Sequence, residues 1–445
     1  MEFEKLSELL AENKYAAFMK EFDEMNVVDA AEYLNYVDLS VLPKVFRLLK
    51  KDKASEIFPE LEPELQEAII TSITDTEISK LVEELFIDDT VDMLEELPAS
   101  VVSRILRVAK PETRAEINKF LNFPPDSAGS VMTSEFLAVY SDMTVSEAIE
   151  RIRRHGNDKE TIYVIYVTDK SRMLEGYIEL RDLIFSQQTE LVGNIMDTAI
   201  IAAQTIDNRE TAALMISKYD LLALPITDTE GRLVGIVTVD DAMDVIEEAA
   251  TEDIEIMAAI SPTDKPYLKT GVFSTWKTRI PWLLLLLLSA TFTGSIITHY
   301  ENALGSMVIL TAFIPMLMGT GGNAGGQASA TIIRGLSLGE IKMGNILRII
   351  WKEFRVSLLC GLTLAVVIFG KALLIDRATV PVALVVAISL LLTVIIAKFV
   401  GCTLPILAKR VGFDPAVMAS PFITTIVDAV SLLIYLQIAS YALGL

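Results

Sequence analysis

The chain has 445 residues, more than a single domain requires, and a formal net charge of −22. The acidic excess lies in residues 1–265, which hold 54 Asp/Glu against 25 Lys/Arg, whereas residues 266–445 hold 6 against 13. A net charge of −29 on the first part argues against nucleic-acid binding, because contact with phosphates requires a basic surface. It favours cations as partners, with a merely solvated acidic surface as the alternative.

Cysteine and histidine usage restricts the chemistry further. Cys360 and Cys402 are the two cysteines, and His155 and His299 are isolated histidines, so no disulfide framework, thiolate site or imidazole site is expected. A bound metal is therefore predicted to be hard and oxygen-ligated. The sequence contains no nucleophile–base pair that would indicate an enzyme. The first residues show no cleavable signal, so the acidic half is expected to remain in the cytoplasm.

Residues 1–125 are predicted to form an acidic helical domain. Apolar residues recur at helical spacing in segments such as 81–86 and 91–97, with acidic residues on the other faces. A linker rich in Pro, Gly and Ser follows at residues 122–130. The expectation is a compact array of short helices.

An internal repeat follows the linker. Each copy begins with a methionine motif and continues through an amphipathic helix and a strand to a Gly-led strand that ends in Asp182 or Asp241. The order and spacing resemble a tandem pair of CBS domains, predicted at 126–187 and 188–245. A long acidic helix, predicted as a connecting helix at 246–270, leads to the apolar part of the chain.

Five apolar segments are each long enough to cross a bilayer. They lie near residues 280–299, 303–322, 353–375, 380–402 and 421–445. Lys and Arg residues concentrate before the first, between the second and third, and between the fourth and fifth. This pattern predicts a multi-pass protein of the cell (inner) membrane, with a transmembrane domain at 271–445, a cytoplasmic N-terminus and an extracytoplasmic C-terminus.

Asp428 is interpreted as the one carboxylate inside these apolar segments. Thr424, Ser431 and Tyr435 share its helical face by their spacing, which predicts a polar stripe, and Thr425 lies beside it. Ionisable groups at membrane depth are costly and usually functional. A packing role, with Asp428 paired to a lysine or to Thr424 or Ser431, is the alternative. A twofold dimer would supply two Asp428 carboxylates and match one divalent ion.

The second apolar segment ends in a run with five glycines within eight residues, followed by Gln327. Asn323 and Gln327, with neighbouring carbonyl groups, are predicted to form a pore wall or pore neck, since irregular backbone at membrane depth must be buried or line water. Tight packing of small residues between helices is the alternative.

The run 319–328, with Asp414-Pro-Ala-Val and the segment 421–428, resembles the MgtE family of magnesium channels or transporters. The resemblance covers the whole chain. It implies a multidomain homodimer: an all-α N-terminal domain, α/β tandem CBS domains, a connecting (plug) helix and a five-helix transmembrane domain. It places Asp428 in an ion-binding pore and implies Mg²⁺ both as the transported and as the regulatory ion. The regulatory carboxylates implied by the resemblance are Glu56, Asp88, Asp92, Glu210, Asp220, Asp241, Asp244, Glu252, Asp253 and Asp414.

One departure concerns nucleotides. The second repeat keeps Thr238 before Asp241, whereas the first has Glu179 before Asp182. By the resemblance, Val164 and Leu221 stand where related CBS domains offer aromatic rings to adenine. This argues against ATP as a cofactor. The candidate nucleotide contacts are Arg181 and Asp182.

The leading functional hypothesis is a Mg²⁺-selective membrane channel or transporter that imports magnesium. Mg²⁺ bound to the acidic cytoplasmic domains is expected to close it, because bridging cations remove the repulsion among the carboxylates. The alternatives are a broader divalent cation transporter that also carries Mn²⁺ or Co²⁺, and a non-conducting CBS membrane sensor. The expected partners are Mg²⁺, a second copy of the chain and the lipid bilayer.

Overall fold

The computed structural model describes residues 2–263, 267, 270–418 and 420–444. The chain divides into two compact units, Met1–Glu247 and Glu248–Leu445. Each unit has its own apolar core. Part of the predicted connecting segment 246–270 (residues 264–266, 268 and 269) lies outside the described residues.

The first unit begins with ten short helices. They are α1 Glu2–Ala11, α2 Tyr15–Asp23, α3 Val27–Asn35, α4 Leu42–Phe46, α5 Lys51–Ile57, α6 Pro63–Ser72, α7 Asp75–Val82, α8 Ile87–Glu96, α9 Ala99–Val108 and α10 Pro111–Phe120. Local sequence sets their limits: the side chain of Thr74 caps α7 and forms a reciprocal capping box with Glu77. Buried aromatics such as Phe18, Phe22 and Tyr33 pack these helices together.

Two small sheets of identical topology follow. Their elements are β1 Ala138–Tyr140, α11 Val145–His155, β2 Val164–Thr168, β3 Leu174–Glu179, α12 Leu180–Phe185, α13 Val192–Ile195, β4 Ala203–Gln204, α14 Arg209–Tyr219, β5 Ala223–Thr227 and β6 Leu233–Thr238. In each sheet the first strand pairs parallel with the second, and the second pairs antiparallel with the third. The repeat predicted from the sequence is thus a structural repeat.

Helix α15 (Val239–Met257) begins directly after β6 and contains residues of both units. It carries Asp240 and Asp241 in its first turn, where carboxylates complement the helix dipole. Ala259 adopts a left-handed conformation with φ of 57° just beyond its end. The helical structure therefore stops thirteen residues before the predicted end of the connecting segment at 270, with residues 264–266, 268 and 269 left undescribed.

The second unit holds five candidate membrane spans. Its helices are α16 Val272–His299, α17 Glu301–Ser306, α18 Ile314–Ser337, α19 Ile346–Leu374, α20 Val380–Val411 and α21 Ser420–Leu443. Each long helix exceeds 20 residues, and 20 residues span the roughly 30 Å of bilayer hydrocarbon. Helices α18, α20 and α21 pack into a shared core through residues such as Leu317, Val394 and Val427. The predicted fold class is confirmed: an all-α domain, two CBS copies and five candidate spans.

Candidate functional site

Carboxylates from α8, the first CBS copy and the start of α15 converge in the first unit. Asp88 is 9% exposed, and Asp89, Glu160 and Asp241 are partly buried. The Oδ1 atom of Asp88 and the Oε2 atom of Glu160 are buried without a hydrogen-bond partner. Asp241 accepts a 2.5 Å hydrogen bond from the hydroxyl of Thr238. We call Asp88, Asp89, Glu135, Glu160, Asp240 and Asp241 the carboxylate cluster.

Burial and mutual repulsion raise the pKa values of the carboxylate cluster. Burial, followed by the charges of Asp89 and Asp241, raises the pKa of Asp88 well above its usual range. Burial and then Asp241 raise the pKa of Asp89 to about 6 and that of Glu160 to about 7. The charges that act on these three pKa values are all carboxylates. A bound cation would relieve this repulsion.

The carboxylate cluster is better suited to a hydrated metal ion than to one bound directly by three or more side chains. Among the described residues, no three His, Cys, Asp or Glu side chains are arranged to hold a metal ion directly. Mg²⁺ keeps several waters and is commonly bound through one or two carboxylates. The unpartnered oxygens of Asp88 and Glu160 are thus suited to a hydrated Mg²⁺ ion.

The structure brings together only part of the predicted regulatory set. Asp88 and Asp241 meet in the carboxylate cluster. Of the others, Asp253 is partly buried, and the exposed ones are Glu56, Asp92, Glu210, Asp220, Asp244, Glu252 and Asp414. Asp89 and Glu160 were missed by sequence reasoning. The adjacency of Asp88 and Asp89 in the sequence could have indicated Asp89, whereas the position of Glu160 depends on tertiary packing.

In the second unit, the end of α15 contacts the C-terminal end of α18. The hydroxyl of Ser337 donates a 3.0 Å hydrogen bond to the carboxylate of Asp253. Burial first, and then the charge of Asp414, raise the pKa of Asp253. Ile256 and Met257 pack against Ile333. The acidic helix therefore joins the spans through both polar and apolar contacts.

Asp428 lies in the N-terminal half of α21 and is partly buried. No described residue donates a hydrogen bond to its carboxylate or forms an ion pair with it. Thr424 and Thr425 both donate instead to the carbonyl of Pro421. The packing alternative required a lysine, Thr424 or Ser431 as partner, and the described part of the chain supplies none of these.

The predicted polar stripe on α21 is only partly present. Tyr435 is fully buried, and its hydroxyl donates a 2.9 Å hydrogen bond to the carbonyl of Leu310. Ser431 is 1% exposed in the contact with α18. At Tyr435 and Ser431 the predicted stripe therefore meets other parts of the protein, which helical spacing alone cannot distinguish from a water-lined face.

The glycines of α18 serve helix packing. A Cβ atom on Gly321, Gly322 or Gly325 would collide with side chains of α20 or α21. At Gly401 of α20, an added Cβ would overlap the carbonyl oxygen of Gly325. The segment is a continuous helix from Ile314 to Ser337, so the expectation of irregular backbone with exposed carbonyls was wrong. The alternative of small-residue packing explains the glycines.

Asn323 and Gln327 lie on a different face of α18. They line a cavity of about 470 Å³ with Cys360, Thr363 and Lys398. The described residues that line this cavity belong to α18, α19 and α20, and Asp428 is not among them. A single chain thus shows two separate polar surfaces, one at Asn323 and Gln327 and one at Asp428.

Two charges inside the spans escaped the sequence analysis. The third span begins at Met343, so Glu353 lies within it. Asp428 is therefore not the only carboxylate inside the described spans. The Nζ atom of Lys398 lies 4.0 Å from a carboxylate oxygen of Glu353, and both side chains are largely buried. Lys398, which was counted among the positive charges between the fourth and fifth segments, is inside α20. The mutual pairing explains how both are accommodated.

A larger cavity of about 600 Å³ lies between the two CBS copies. Tyr163, Tyr177 and Tyr219 contribute aromatic rings to its lining, and Glu179 and Arg181 contribute charges. Arg181 forms a 2.9 Å ion pair with Glu179. Asp182, the other candidate nucleotide contact, does not line the cavity among the described residues. Tyr163 precedes Val164, Tyr219 lies two residues before Leu221 and Tyr177 is on β3, so none stands at the two positions that the sequence analysis considered.

Comparison with known proteins agrees with both units. The family model for the MgtE divalent cation transporter matches residues 314–438, that for the MgtE intracellular N domain matches 25–126, and that for CBS domains matches 128–188 and 192–248. The chain is 38% identical over 400 residues to the magnesium transporter MgtE of Thermus thermophilus, with 89% of this chain and 88% of that protein covered. It is 34% identical over 432 residues to the magnesium transporter MgtE of Bacillus subtilis, with coverage of 97% and 95%.

A solved structure of the cytosolic domain of the Mg²⁺ channel MgtE in complex with ATP is 36% identical, with a TM-score of 0.51. It covers 54% of this chain and 98% of its own. The resemblance inferred from the glycine-rich run and the Asp428 segment is thereby confirmed. This chain belongs to the MgtE family of divalent cation transporters.

Proposed function

We propose that this chain transports Mg²⁺ across the cell membrane, with Asp428 contacting the permeating ion. The observation that carries the proposal is a partly buried carboxylate in a membrane helix with no partner among the described residues. Keeping such a group unpaired costs free energy, so it requires a compensating function. A carboxylate can hold Mg²⁺ through the ion's retained waters. Thr424 and Thr425, one turn before it, offer hydroxyl oxygens beside that path.

The proposed assembly is a homodimer. One Asp428 carboxylate balances only half the charge of a divalent ion, whereas two related by a twofold axis balance it fully. Asn323 and Gln327 are exposed on the single chain and line a cavity open to its surroundings. In a dimer, these amides are proposed to form a second polar part of the ion path. Transport, and not catalysis, is the proposed activity.

The proposed regulation is closure by cytoplasmic Mg²⁺. The carboxylate cluster repels itself when metal is scarce, as the raised pKa values of Asp89 and Glu160 indicate. Mg²⁺ favours the state in which these groups are close, because its affinity is higher there. Helix α15 carries Asp241 of the cluster in its first turn and Asp253, which contacts Ser337, near its end, so it is the proposed connection to the spans. The exposed carboxylates of the predicted set are proposed to contribute further sites.

The proposed orientation follows the distribution of positive charge. The first unit and the end of α15 would face the cytoplasm, as would Asp414 between the last two spans, and the end of α21 would lie outside. An odd number of spans is consistent with this arrangement.

Flux measurements on reconstituted protein test the pore assignment. Full-length protein in liposomes with an entrapped Mg²⁺-sensitive dye should conduct, and Asp428→Asn should abolish conduction while dimer assembly is retained. Asp376→Asn is a matched control, because Asp376 pairs with Lys371 at a helix end. Wild-type flux through Asp428→Asn would reject the pore assignment.

Ion substitution separates the leading proposal from its alternatives. Mn²⁺ or Co²⁺ flux equal to that of Mg²⁺ would support a broader divalent cation transporter. Absence of flux for every divalent ion, from protein that still binds Mg²⁺, would support a non-conducting sensor. The unpartnered Asp428 favours transport, since a sensor needs no such group in its spans.

The cavity between the CBS copies has the volume of a small-molecule site. A relative was solved with ATP. In this chain Glu179 and Asp220 line the cavity, and Arg181 is paired with Glu179. These carboxylates oppose a triphosphate, so the prediction against ATP as a cofactor is retained. Calorimetric titration of full-length protein with ATP tests it, with Arg181→Ala as the variant that should remove any binding.

A further inference from the structure

The first CBS copy contains a second cavity, of about 340 Å³, with a cationic lining. We call it the basic cavity. Its principal lining residues are Phe136, Tyr140, Arg151, His155, Lys159 and Arg172. It shares none of these with the larger cavity between the two copies. A volume of this size is at the lower end of that of small-molecule sites.

The charge of the basic cavity contrasts with its surroundings. Residues 151–172 hold six Lys/Arg and three Asp/Glu, within a part of the chain whose net charge is −29. Neighbouring cations outside the cavity are paired: Arg154 with Glu150, and Lys170 with Asp142. By contrast, three cations line the basic cavity and form no ion pair with any described carboxylate: Arg151, Lys159 and Arg172. An acidic protein thus leaves three converging cations without an anion.

The backbone at Arg172 supports a specific use. Arg172 adopts φ of 66°, a left-handed conformation that is unfavourable for a residue with a Cβ atom. The equivalent turn of the second copy has Gly231 there, with φ of 86°. Both turns are built alike, with Asp169 or Asp228 accepting two backbone hydrogen bonds. The repeat therefore shows that glycine suffices for the turn, so the turn itself does not require the arginine side chain.

The basic cavity and the carboxylate cluster share two short segments of chain. Lys159 lines the cavity, whereas the adjacent Glu160 belongs to the cluster. Phe136 lines the cavity, whereas the adjacent Glu135 belongs to the cluster. The amide of Glu160 donates a 2.9 Å hydrogen bond to the carbonyl of Glu135, which joins the two segments. Successive side chains of extended backbone point to opposite sides, which explains the alternation.

We propose that the basic cavity binds a small phosphorylated metabolite. Arg151, Lys159 and Arg172 supply charge-assisted hydrogen bonds to the phosphate, and the rings of Phe136 and Tyr140 contact the rest of the molecule. The bound anion neutralises cations next to the carboxylate cluster and so raises the affinity of that cluster for Mg²⁺. The coupling to Mg²⁺ rests on the proposed regulatory function, whereas the anion site itself does not.

Calorimetry on the full-length protein in detergent, without Mg²⁺, tests the anion site. Ribose 5-phosphate should bind and ribose should not. Arg172→Gly relieves the backbone conformation, so it should fold normally and yet weaken binding at least about tenfold, as should Arg151→Gln. Arg153→Gln is the matched control, because Arg153 is exposed outside the cavity, and it should stay within about twofold of wild type. Equal losses in all three variants would overturn the site.

Two further arms identify the occupant. AMP should bind with the same dependence on Arg172, because nucleoside monophosphates belong to the proposed class of small phosphorylated metabolites. AMP binding that survives Arg172→Gly, without binding of ribose 5-phosphate, would assign the ligand to the other cavity and overturn the proposal. A change of oligomeric state in Arg172→Gly, without any phosphate binding by wild type, would identify an acidic segment of a second copy as the occupant and also overturn it.

The coupling is tested by titrating Mg²⁺ with and without saturating ribose 5-phosphate. The apparent Mg²⁺ affinity should rise severalfold in wild type and stay unchanged in Arg172→Gly. Anion binding without any shift would overturn the coupling. Anion binding in protein that shows no Mg²⁺ flux would contradict the proposed transport function but leave the anion site intact.

Discussion

Neutralising one partly buried carboxylate of the cluster should stabilise the protein when Mg²⁺ is absent. Asp89 has its pKa raised from 3.8 to about 6 by burial and by the charges of Asp241 and Glu60. A raised pKa in a folded acid means that the folded state resists ionisation. The resulting destabilisation is absent below pH ~4 and fully present above pH ~6. We therefore expect Asp89→Asn to be stabilising at neutral and alkaline pH.

The magnitude follows from the shift. About two pKa units correspond to about 3 kcal/mol, at 1.36 kcal/mol per unit. This is an upper value for Asp89→Asn, because the polar amide is still partly buried and its burial also costs free energy. If α8 opens locally, its amide hydrogens should exchange up to about a hundredfold more slowly in the variant, in the presence of a chelator.

Hydrogen exchange of full-length protein, read by mass spectrometry on peptides of α8, measures this effect. Saturating Mg²⁺ should slow exchange strongly in wild type and much less in Asp89→Asn, since the variant lacks part of the repulsion that Mg²⁺ relieves. Glu175→Gln is the control, because Glu175 is exposed on β3 and outside the cluster. Exchange in Asp89→Asn that equals or exceeds that of wild type with chelator present would refute the electrostatic account.

Three further predictions address protonation, packing and regulation. Mg²⁺ binding should weaken as the pH falls from about 8 to about 6, because Glu160 and then Asp89 take up protons at pKa values of about 7 and about 6; calorimetry giving one affinity at both pH values would contradict this. Gly401→Ala should destabilise the spans by about 1–3 kcal/mol through overlap with an α18 carbonyl, whereas Gly294→Ala, which faces open space, should not, as thermal unfolding in detergent would show. Deletion of residues 1–125 removes Asp88 and Asp89 from the cluster, so patch-clamp recording should show conduction with weakened Mg²⁺ inhibition; unchanged inhibition would exclude this domain from gating.

Much of the architecture was predictable because it depends on periodicity and composition. Five apolar segments, a duplicated strand–helix pattern and an array of short amphipathic helices each have a local signal. The family assignment likewise rested on a contiguous motif around Gly319 and on the segment that contains Asp428, and it is confirmed. The division of the whole chain into five domains or segments, with boundaries after residues 125, 187, 245 and 270, remains a prediction.

The candidate sites were predicted less completely, because their geometry is non-local. Glycine content indicated irregular backbone near Asn323, whereas the close approach of α20 at Gly401 shows that the glycines allow helix contact. Tyr435 shares the helical face of Asp428 by spacing, yet it is buried against Leu310. Spacing gives the face of a helix but not what that face meets.

The sequence by itself determined the acidic and membrane parts, the repeat and the family, since these are properties of contiguous segments. Only the tertiary structure decided which carboxylates meet. Asp88 and Glu160 are 72 positions apart in the sequence, yet the fold brings α8, the loop before β2 and the start of α15 close enough for their carboxylates to act on one another. Burial and mutual charge then give them properties that neither residue has in an isolated segment. The same holds for Lys398 and Glu353, whose pairing inside the spans depends on the packing of α19 against α20.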